Sequence, residues 1–567
     1  MTSFRTRYLD YAELTEQLRA WAGAHPDFVR VSTIGKSAEG RDIPLLTIGR
    51  DPDEERPAIW VDGNMHATEL CGSSVALAIA EDVIAIHRGV TPAQAGAQLP
   101  SHMTEALRDA LFYVVPRMSP DGAEAVLKHG RYVRSSPVDK RRHKGHAYWE
   151  AHDFDGNGEI GFMRQVSADG ELVELAEYPG VMVPRLPEDP PPYYKLYPEG
   201  RIANFDGRRI PDPYFLSDNQ YDFNRNFPYS WAPEHEQEGA GDFPGSAPET
   251  RAILDFTIAH PNIFVWLNLH TFGGVLIRPL GDGPDSKMDQ EDLAVYRQVE
   301  AWAKEFTGYP TVSGYHEFLY APDKPLKGDL TDYAYHQRGT LAYVIELWDL
   351  FTQIGMERKT PFVDVYTRFG RKDLIALAQW DKDVNKGRVF GKWTQVKHPQ
   401  LGEVEVGGLD LRVGISNPPY EKIGEVCEKH SAAFLRVASL TPRIAIETVK
   451  QESLGGGMTR LEIRIANRGY LGTYGLSSAK KLPFSEPLRA TVETDGPKLT
   501  APMEKLIEIG HLEGWGRGLY NGVNIFFPWT RGNVHERFIT LVVEGKGKLK
   551  VRVGSVRMGF RTLEVTI

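Results

Sequence analysis

Short apolar strands alternate with longer helical patterns through most of the chain, and this alternation constrains the fold more than any other feature. The apolar runs lie at Ala58–Val61, Leu111–Val115, Ile263–Leu269 and Leu341–Leu347. Patterns of helical period lie at Glu69–His87, Glu249–His260, Asp292–Phe306 and Val363–Gln379. A strand that is apolar on both faces must be covered on both faces, so the sequence predicts an α/β domain with helices on either side of a sheet.

Two regions depart from this pattern. A segment over about residues 135–220 is rich in Pro, Asp, Glu and Gly and is too long for an ordinary connection, so we expect an insertion there. After Ser439, short strand-like runs such as Arg460–Ala466 and Leu549–Val553 are separated by Gly-rich turns, which is typical of an antiparallel β-sandwich. The sequence therefore predicts an α/β domain over residues 1–438 and a β-sandwich over residues 439–567.

The overall charge excludes several classes of protein. The chain has 66 Lys and Arg against 76 Asp and Glu, which argues against a protein that neutralises nucleic-acid phosphates. The basic run Lys140–Lys144 is accordingly interpreted as a solvated face or a support for substrate carboxylates rather than a nucleic-acid patch. No window approaches the ~18–20 apolar residues that a membrane helix needs, and the N-terminal residues lack the apolar region of a secretory signal. We therefore expect a cytoplasmic protein that binds neither nucleic acid nor membrane, in an oligomeric state that the sequence leaves open.

The first candidate site residues are His66 and Glu69, which follow the predicted strand Ala58–Val61. Because Cys71 and Cys427 are the only cysteines, a metal ion would have to bind to His and carboxylate side chains. Side chains three residues apart at a helix start point the same way and can bind one ion, and α/β sheets hold ligands at the carboxyl ends of strands. On this motif alone, a helix start with a solvated Glu remains the alternative.

Two further strands each contribute a candidate residue. His270 follows the apolar run Ile263–Leu269, and two His with one Glu and an open fourth position form the ligand set of a catalytic zinc. Glu346 lies inside the run Leu341–Leu347, where a carboxylate is costly unless it has a task. A raised pKa would suit Glu346 to act as a general base, and a structural ion pair is the alternative.

Five short motifs occur in one order along the chain. They are HxxE at His66–Glu69, PDG at Pro120–Gly122, DxNRN at Asp222–Asn226, the strand-end His270 and the strand residue Glu346. With the opening Ile34–Arg41, they resemble the zinc metallocarboxypeptidases of the carboxypeptidase A type, the M14 peptidases, in a bacterial, propeptide-free form. The resemblance runs from about Tyr8 to Leu377 and covers neither the insertion nor the chain after Ser439. It implies an α/β/α catalytic domain built on a mixed sheet.

The resemblance implies a role for each matching residue near the metal. His66, Glu69 and His270 would bind Zn²⁺, and Asp222 would hydrogen-bond the outer nitrogen of His66, which fixes the tautomer of a ligand. Glu346 would take a proton from the attacking water and pass it to the leaving amine.

The resemblance also implies the residues that bind the substrate, a peptide. Asn224 and Arg225 would bind the terminal carboxylate, since a guanidinium fork matches a carboxylate in geometry and charge. Arg134 aligns with the oxyanion-stabilising arginine of the family, although Arg131 lies close by. For the mobile tyrosine of the family, the candidates are Tyr315 and Tyr320.

The resemblance also implies that Thr331 lies at the position whose residue sets the preferred C-terminal side chain in the family, since Asp332 lies fourteen residues before Glu346, as a similar residue does in the family. Because Thr carries no charge, this alignment predicts a neutral C-terminal residue. The alternative is Asp329, two residues away, whose carboxylate would favour Lys.

The insertion contains a possible calcium loop. Asp153, Asp155 and Asn157 occupy positions one, three and five, Gly158 occupies position six and the apolar Ile160 occupies position eight. Position twelve is Arg164 rather than Glu, so an acidic turn held by Asx hydrogen bonds is an equal alternative to a weak Ca²⁺ site.

The sequence thus predicts a zinc-dependent carboxypeptidase that removes the C-terminal residue of a peptide. A first alternative is a zinc amidohydrolase that acts on N-acyl amino acids or cell-wall peptides, since it would use the same metal ligands. A second alternative is a non-catalytic binding protein on the same scaffold. Its expected mark is loss of a zinc ligand or of Glu346, and all four residues are present.

Overall fold

A mixed eight-stranded sheet forms the centre of the first part of the chain. The computed structural model describes residues 4–90, 99–138, 147–212, 221–321, 323–518 and 529–567, so the basic run Lys140–Lys144 lies outside the described residues. In spatial order, the strands are Val29–Lys36, Asp42–Ile48, Leu111–Val115, Ala58–Gly63, Ile263–Thr271, Leu341–Leu347, Val275–Arg278 and Thr311–Ser313. The four strands from Leu111–Val115 to Leu341–Leu347 are parallel, and antiparallel pairs flank them. The predicted α/β fold with a mixed sheet is confirmed.

The central strands of this sheet are buried along their whole length. They are buried because helices cover both faces of the sheet. The described α-helices are Tyr11–Ala24, Cys71–His87, Ser101–Asp109, Pro120–His129, Pro248–Ala259, Gln290–Thr307, Gly314–Glu317, Leu330–His336, Leu350–Gln353, Asp364–Thr367, Arg371–Asp383 and Ile423–Ala438. The single helix predicted over Val363–Gln379 is wrong. Gly370 has an extended backbone, and its N–H donates to Asp373, so a second helix starts there.

The register of the parallel strands aligns the ends of three of them. Leu269 pairs with Gly63, and His270 pairs with Glu346 on the other side. The backbone of Gly72 packs closely against these strand ends. A Cβ on Gly72 would lie only 2.8 Å from the Leu269 carbonyl oxygen. Glycine therefore lets the helix Cys71–His87 start directly against the strand ends.

The insertion folds into β-structure that a distant hairpin completes. Its six-stranded sheet has the order Phe390–His398, Gly402–Leu409, Phe162–Val166, Tyr194–Pro198, Leu172–Glu174 and Met182–Pro184, and Tyr148–Ala151 pairs separately with Gly200–Ala203. The sequence did not reveal the hairpin over 390–409 as part of this sheet. The strand Gly402–Leu409 of the hairpin pairs with Phe162–Val166 of the insertion. Across this pair, the Arg164 Nε–H donates to the Glu405 carboxylate at 2.7 Å.

The chain after the helix Ile423–Ala438 forms two four-stranded antiparallel sheets, as predicted for a β-sandwich. One contains Ile444–Gly455, Met458–Asn467, Glu536–Glu544 and Lys498–Ala501, and the other contains Leu506–Gly510, Leu488–Asp495, Lys548–Ser555 and Gly559–Thr566. Alternate residues such as Leu549, Val551 and Val553 are buried between the sheets, whereas the Lys and Arg residues between them are exposed.

Arg557 joins this sandwich to the α/β domain. Its side chain is fully buried and donates to the carbonyl oxygens of Gly339, at 2.8 Å, and Ile263, at 3.3 Å. The guanidinium also lies over the ring of Phe264. The sandwich therefore packs against the α/β domain at the amino ends of the central strands Ile263–Thr271 and Leu341–Leu347. Within the described residues, no helix is both long and apolar enough to cross a membrane.

Candidate metal centre and active site

The predicted metal ligands meet at the carboxyl ends of the central strands. His66 and Glu69 lie in the turn between the strand Ala58–Gly63 and the helix Cys71–His87, so the expectation that Glu69 starts the helix is wrong by two residues. Asn64 holds this turn with a positive φ of 57°, and its amide donates to the carbonyl oxygens of His66 and Ala67 at 2.8 and 3.1 Å. The turn still directs both side chains toward His270.

Three donor groups converge on one point. The Nδ1 atoms of His66 and His270 are 3.1 Å apart, and the Glu69 carboxylate oxygens lie 2.7 Å from the first and 2.9 Å from the second. All three side chains are buried. The Thr271 backbone N–H donates to Glu69 Oε2 at 3.2 Å, which fixes the carboxylate in this position.

The outer nitrogens of both imidazoles show what this cluster can bind. His66 Nε2 faces Asp222 Oδ1 at 3.1 Å, and His270 Nε2 faces the amide oxygen of Asn268. Since both partners are acceptors, we assign the protons to the Nε2 atoms, which leaves the two Nδ1 lone pairs directed at the Glu69 carboxylate. Burial also lowers the pKa of His270, which favours the neutral ring. Lone pairs that converge on a carboxylate in this way repel one another unless a cation lies between them. Two His with one Glu form a ligand set that fits Zn²⁺.

Asp222 connects the cluster to Arg134. The Arg134 Nε–H donates to Asp222 Oδ2 at 3.0 Å, and Asp222 Oδ1 also accepts from the Asn224 backbone N–H at 2.9 Å. Burial would raise the pKa of Asp222, but the Arg134 guanidinium and His66 outweigh it, and the pKa is held well below its usual range. Arg134 Nη1 lies 3.7 Å from Glu69 Oε1, so this cation stands beside the metal ligands.

A second supporting chain of hydrogen bonds was missed at the sequence level. Asn268, whose oxygen meets His270, donates through its amide to Asp62, a fully buried carboxylate. Asp62 also accepts from the indole N–H groups of Trp60 at 2.7 Å and Trp266 at 2.8 Å. Burial raises the pKa of Asp62 to about 6, and these donors oppose the rise. A carboxylate inside the apolar strand Ala58–Gly63 was the available signal, the same signal that identified Glu346.

Glu346 lies beside His270 in the neighbouring strand and is partly buried. Its Oε2 atom is buried and has no hydrogen-bond partner among the described residues. Burial and the nearby Glu69 carboxylate raise the pKa of Glu346, while the Arg134 guanidinium opposes them. No described Lys, Arg or His forms an ion pair with Glu346, which argues against the structural alternative.

One cavity joins these groups to the predicted substrate-binding residues. It has a volume of about 90 Å³ and is lined by His66, His270, Glu346, Arg134, Asn224, Arg225, Thr331 and Tyr320, among others. The Leu330 backbone N–H donates to the Asn224 side-chain oxygen at 2.9 Å, which fixes the orientation of the Asn224 amide. Of the two candidate tyrosines, Tyr320 lines this cavity and is 56% exposed.

The acidic loop of the insertion uses its oxygens internally. Asp153 accepts from the backbone N–H groups of Gly156 and Gly158, both at 2.8 Å. Asp155 accepts from Asn157, whose own side-chain oxygen accepts from Glu159. Asp153 and Asp155 lie near Glu199, but Glu199 accepts from the backbone N–H groups of Phe154 and Gly161. These are the Asx hydrogen bonds of the alternative interpretation, and they lend no support to a Ca²⁺ site.

Comparison with known proteins identifies the family. The family model described as zinc carboxypeptidase, Peptidase_M14, matches residues 14–167 and 209–355, which together exceed half of the chain. The chain therefore belongs to the M14 zinc carboxypeptidase family. A separate model, described as a domain of unknown function (DUF8731), matches residues 443–566.

Individual relatives match over limited lengths. Carboxypeptidase B of Astacus astacus is 29% identical over 131 residues, which is 23% of this chain and 39% of that protein. Carboxypeptidase D of Mus musculus is 21% identical over 388 residues, which is 65% of this chain and 21% of that protein. The crystal structure of thrombin activatable fibrinolysis inhibitor is 19% identical, with a TM-score of 0.40, over 68% of this chain and 79% of that chain. The chain thus spans well under half the length of these two curated relatives.

Proposed function

We propose that the chain is a zinc-dependent carboxypeptidase that hydrolyses the C-terminal peptide bond of its substrate. The observation that carries the proposal is one cavity lined by His66 and His270, by Glu346 and by the Asn224–Arg225 pair. The two His side chains converge there with Glu69, and the buried Oε2 of Glu346 has no hydrogen-bond partner among the described residues. Bound Zn²⁺ would polarise the scissile carbonyl and acidify water, which is the chemistry that zinc supplies in hydrolases.

The residues of the chain would supply the remaining parts of the reaction. Arg225 and the Asn224 amide would bind the terminal carboxylate and so place the last peptide bond beside Glu346. Glu346 would accept a proton from the attacking water and deliver it to the leaving amine, a task for which its raised pKa suits it. Arg134 would stabilise the negative charge that develops on the carbonyl oxygen, while Asp222 holds the guanidinium in place.

A requirement for a free terminal carboxylate is the first test of this proposal. We expect the zinc-loaded protein to release the last residue of a peptide with a free C-terminus and to leave the same peptide unchanged when its C-terminus is an amide. Arg225→Gln should raise KM for the free peptide by about 10- to 100-fold, the value of a charge-assisted contact. Arg368→Gln, which removes an exposed guanidinium outside the cavity, is the matched control.

The other outcomes identify what the protein does instead. Cleavage of N-acyl amino acids or cell-wall peptides, without release from ordinary peptides, would show the amidohydrolase alternative to be right. Tight zinc and peptide binding without turnover of any of these substrates would show a binding protein.

A further inference from the structure

A second cavity lies where the sandwich meets the helices of the α/β domain. Its volume is about 460 Å³, and none of the described residues that line it also lines the active-site cavity. The helices Ser101–Asp109, Gln290–Thr307 and Ile423–Ala438 provide one side, and the sandwich provides the other through residues 468–470 and 515. A cavity of this size is large enough to hold a small molecule.

Aromatic side chains form the apolar walls of this cavity. The ring of Tyr470 packs edge-to-face on Trp302, with 6.0 Å between the ring centres, and on Trp515, with 4.8 Å. Tyr470 is buried, and its hydroxyl accepts from the Gly518 backbone N–H at 2.9 Å, which fixes the ring. Trp515, in contrast, is 66% exposed. An indole ring that is left in solvent beside an apolar cavity provides surface that a ligand would bury.

One guanidinium on the wall of the cavity has no carboxylate partner. Arg436 is half-buried, its guanidinium carbon lies 3.8 Å from the centre of the Phe306 ring, and its Nη1 donates to the Ala432 carbonyl oxygen. No described carboxylate forms an ion pair with Arg436, and the exposed Glu305 acts on it only at longer range. Burial lowers the pKa of Arg436, because the guanidinium loses hydration there.

The other basic side chains at this cavity are paired or exposed. Arg443 donates to Asp109 at 2.8 Å, and Arg468 contacts Glu447. His102 is exposed. A half-buried cation beside aromatic walls favours a ligand with an apolar body and one anionic group, because the anion compensates for the hydration that the cation has lost.

We propose that this cavity binds a small apolar carboxylic acid. The carboxylate would contact the Arg436 guanidinium, whose planar N–H groups match a carboxylate in geometry and charge. The apolar part of the ligand would pack against the rings of Trp302, Tyr470 and Trp515. Because the walls belong to both the α/β domain and the sandwich, the bound ligand would stabilise their contact. The site is independent of the proposed peptidase reaction, since none of its residues takes part in that reaction.

Four probes separate the charge of the ligand from its apolar part. Indole-3-acetate and octanoate carry the carboxylate on an aromatic and on an alkyl group, and indole-3-acetamide and octanamide are their neutral counterparts. In calorimetric titrations of the intact chain, we expect each acid to bind about 10- to 100-fold more tightly than its amide, the value of a charge-assisted contact. Tighter binding of indole-3-acetate than of octanoate would assign the site to aromatic acids, and the reverse order would assign it to alkyl acids.

Three substitutions test the role assigned to Arg436. Arg436→Gln removes the cation and should make each acid bind no more tightly than its amide. Lys429→Gln, which removes an exposed ammonium group on the same helix, is the matched control and should keep the wild-type ratio. Glu305→Gln removes a carboxylate whose charge acts on Arg436, so it should tighten the binding of both acids and leave that of the amides unchanged.

A fourth variant keeps the cation but fills the space. Ala106 lines the cavity and is 6% exposed, so Ala106→Leu should weaken the binding of acids and amides alike. The unfolding temperature shows whether each variant is folded. Equal affinity of the wild-type protein for acids and amides, no binding of any of the four probes, or an unchanged ratio in Arg436→Gln would overturn the inference. Should Arg436→Gln fail to fold, unchanged binding in both Ala106→Leu and Glu305→Gln would overturn it as well.

Discussion

Replacing Asp222 by Asn should weaken both zinc binding and catalysis, because this one carboxylate serves three donors. It accepts from His66 Nε2 at 3.1 Å, from the Asn224 backbone N–H at 2.9 Å and from Arg134 Nε at 3.0 Å. An amide offers one acceptor and one donor group in place of two acceptors. If its oxygen faces His66 and Asn224, its NH₂ group faces the Arg134 N–H, and that contact becomes repulsive.

The magnitude follows from these contacts. A buried donor left without an acceptor costs about 1–3 kcal/mol, which corresponds to roughly a 10- to 100-fold loss of kcat/KM if Arg134 acts on the reacting carbonyl. Loss of the negative charge behind His66 should lower zinc affinity by about 10-fold or more. Competition with a chelating dye measures the affinity, and peptide hydrolysis at saturating zinc measures kcat/KM separately. If Asp222→Asn leaves both quantities at wild-type values, as a control substitution of the exposed Asp323 by Asn should, the role assigned to Asp222 is wrong.

Two further predictions concern stability. Burial lowers the pKa of His430 to about 3 from 6.5, so the unfolded chain binds more protons between these values and the folded state loses stability as pH falls through that window. His430→Leu should remove about 2 kcal/mol of the loss in unfolding free energy between pH 7 and pH 5, as measured by urea titration, and an unchanged pH slope would contradict this. Gly72→Ala would place a methyl group 2.8 Å from the Leu269 carbonyl oxygen and 3.0 Å from the Asn64 nitrogen, so it should cost about 1–3 kcal/mol in thermal unfolding, whereas Gly23→Ala, which has open space, should not. Equal unfolding temperatures for the two glycine variants would show that the close approach is relaxed in solution.

The positions of the site residues could be predicted because they depend on local patterns. An apolar run such as Leu341–Leu347 gives the strand and its ends directly, and the strand has these bounds in the structure. Since parallel strands end at one edge of a sheet, His66, His270 and Glu346 had to come close together. The roles of Asp222, Asn224 and Arg225 came from the family resemblance, which the order of the motifs along the chain carries.

Pairings over long distances in the sequence could not be predicted in the same way. The hairpin over 390–409 joins the insertion through pairing of Glu405 with Arg164, and no local pattern specifies that partner. The support of His270 by Asp62 through Asn268 likewise depends on two neighbouring strands being in register. Thr331 was expected in the cavity from the family resemblance, but the approach of Gly281 to Asp329 and Asp332 depends on tertiary packing.

Substitution of Glu346 by Gln, with zinc content and peptide products measured on the same samples, tests the central claim most directly. We expect the wild-type protein to bind one zinc per chain and to release single C-terminal residues, identified by mass spectrometry, with the activity lost on chelation and restored by zinc. Glu346→Gln should retain the zinc and lose about 10²- to 10⁴-fold in kcat, since the ligands His66, Glu69 and His270 are untouched while the proton acceptor is removed. A zinc-loaded Glu346→Gln protein that releases C-terminal residues at the wild-type rate would contradict the account.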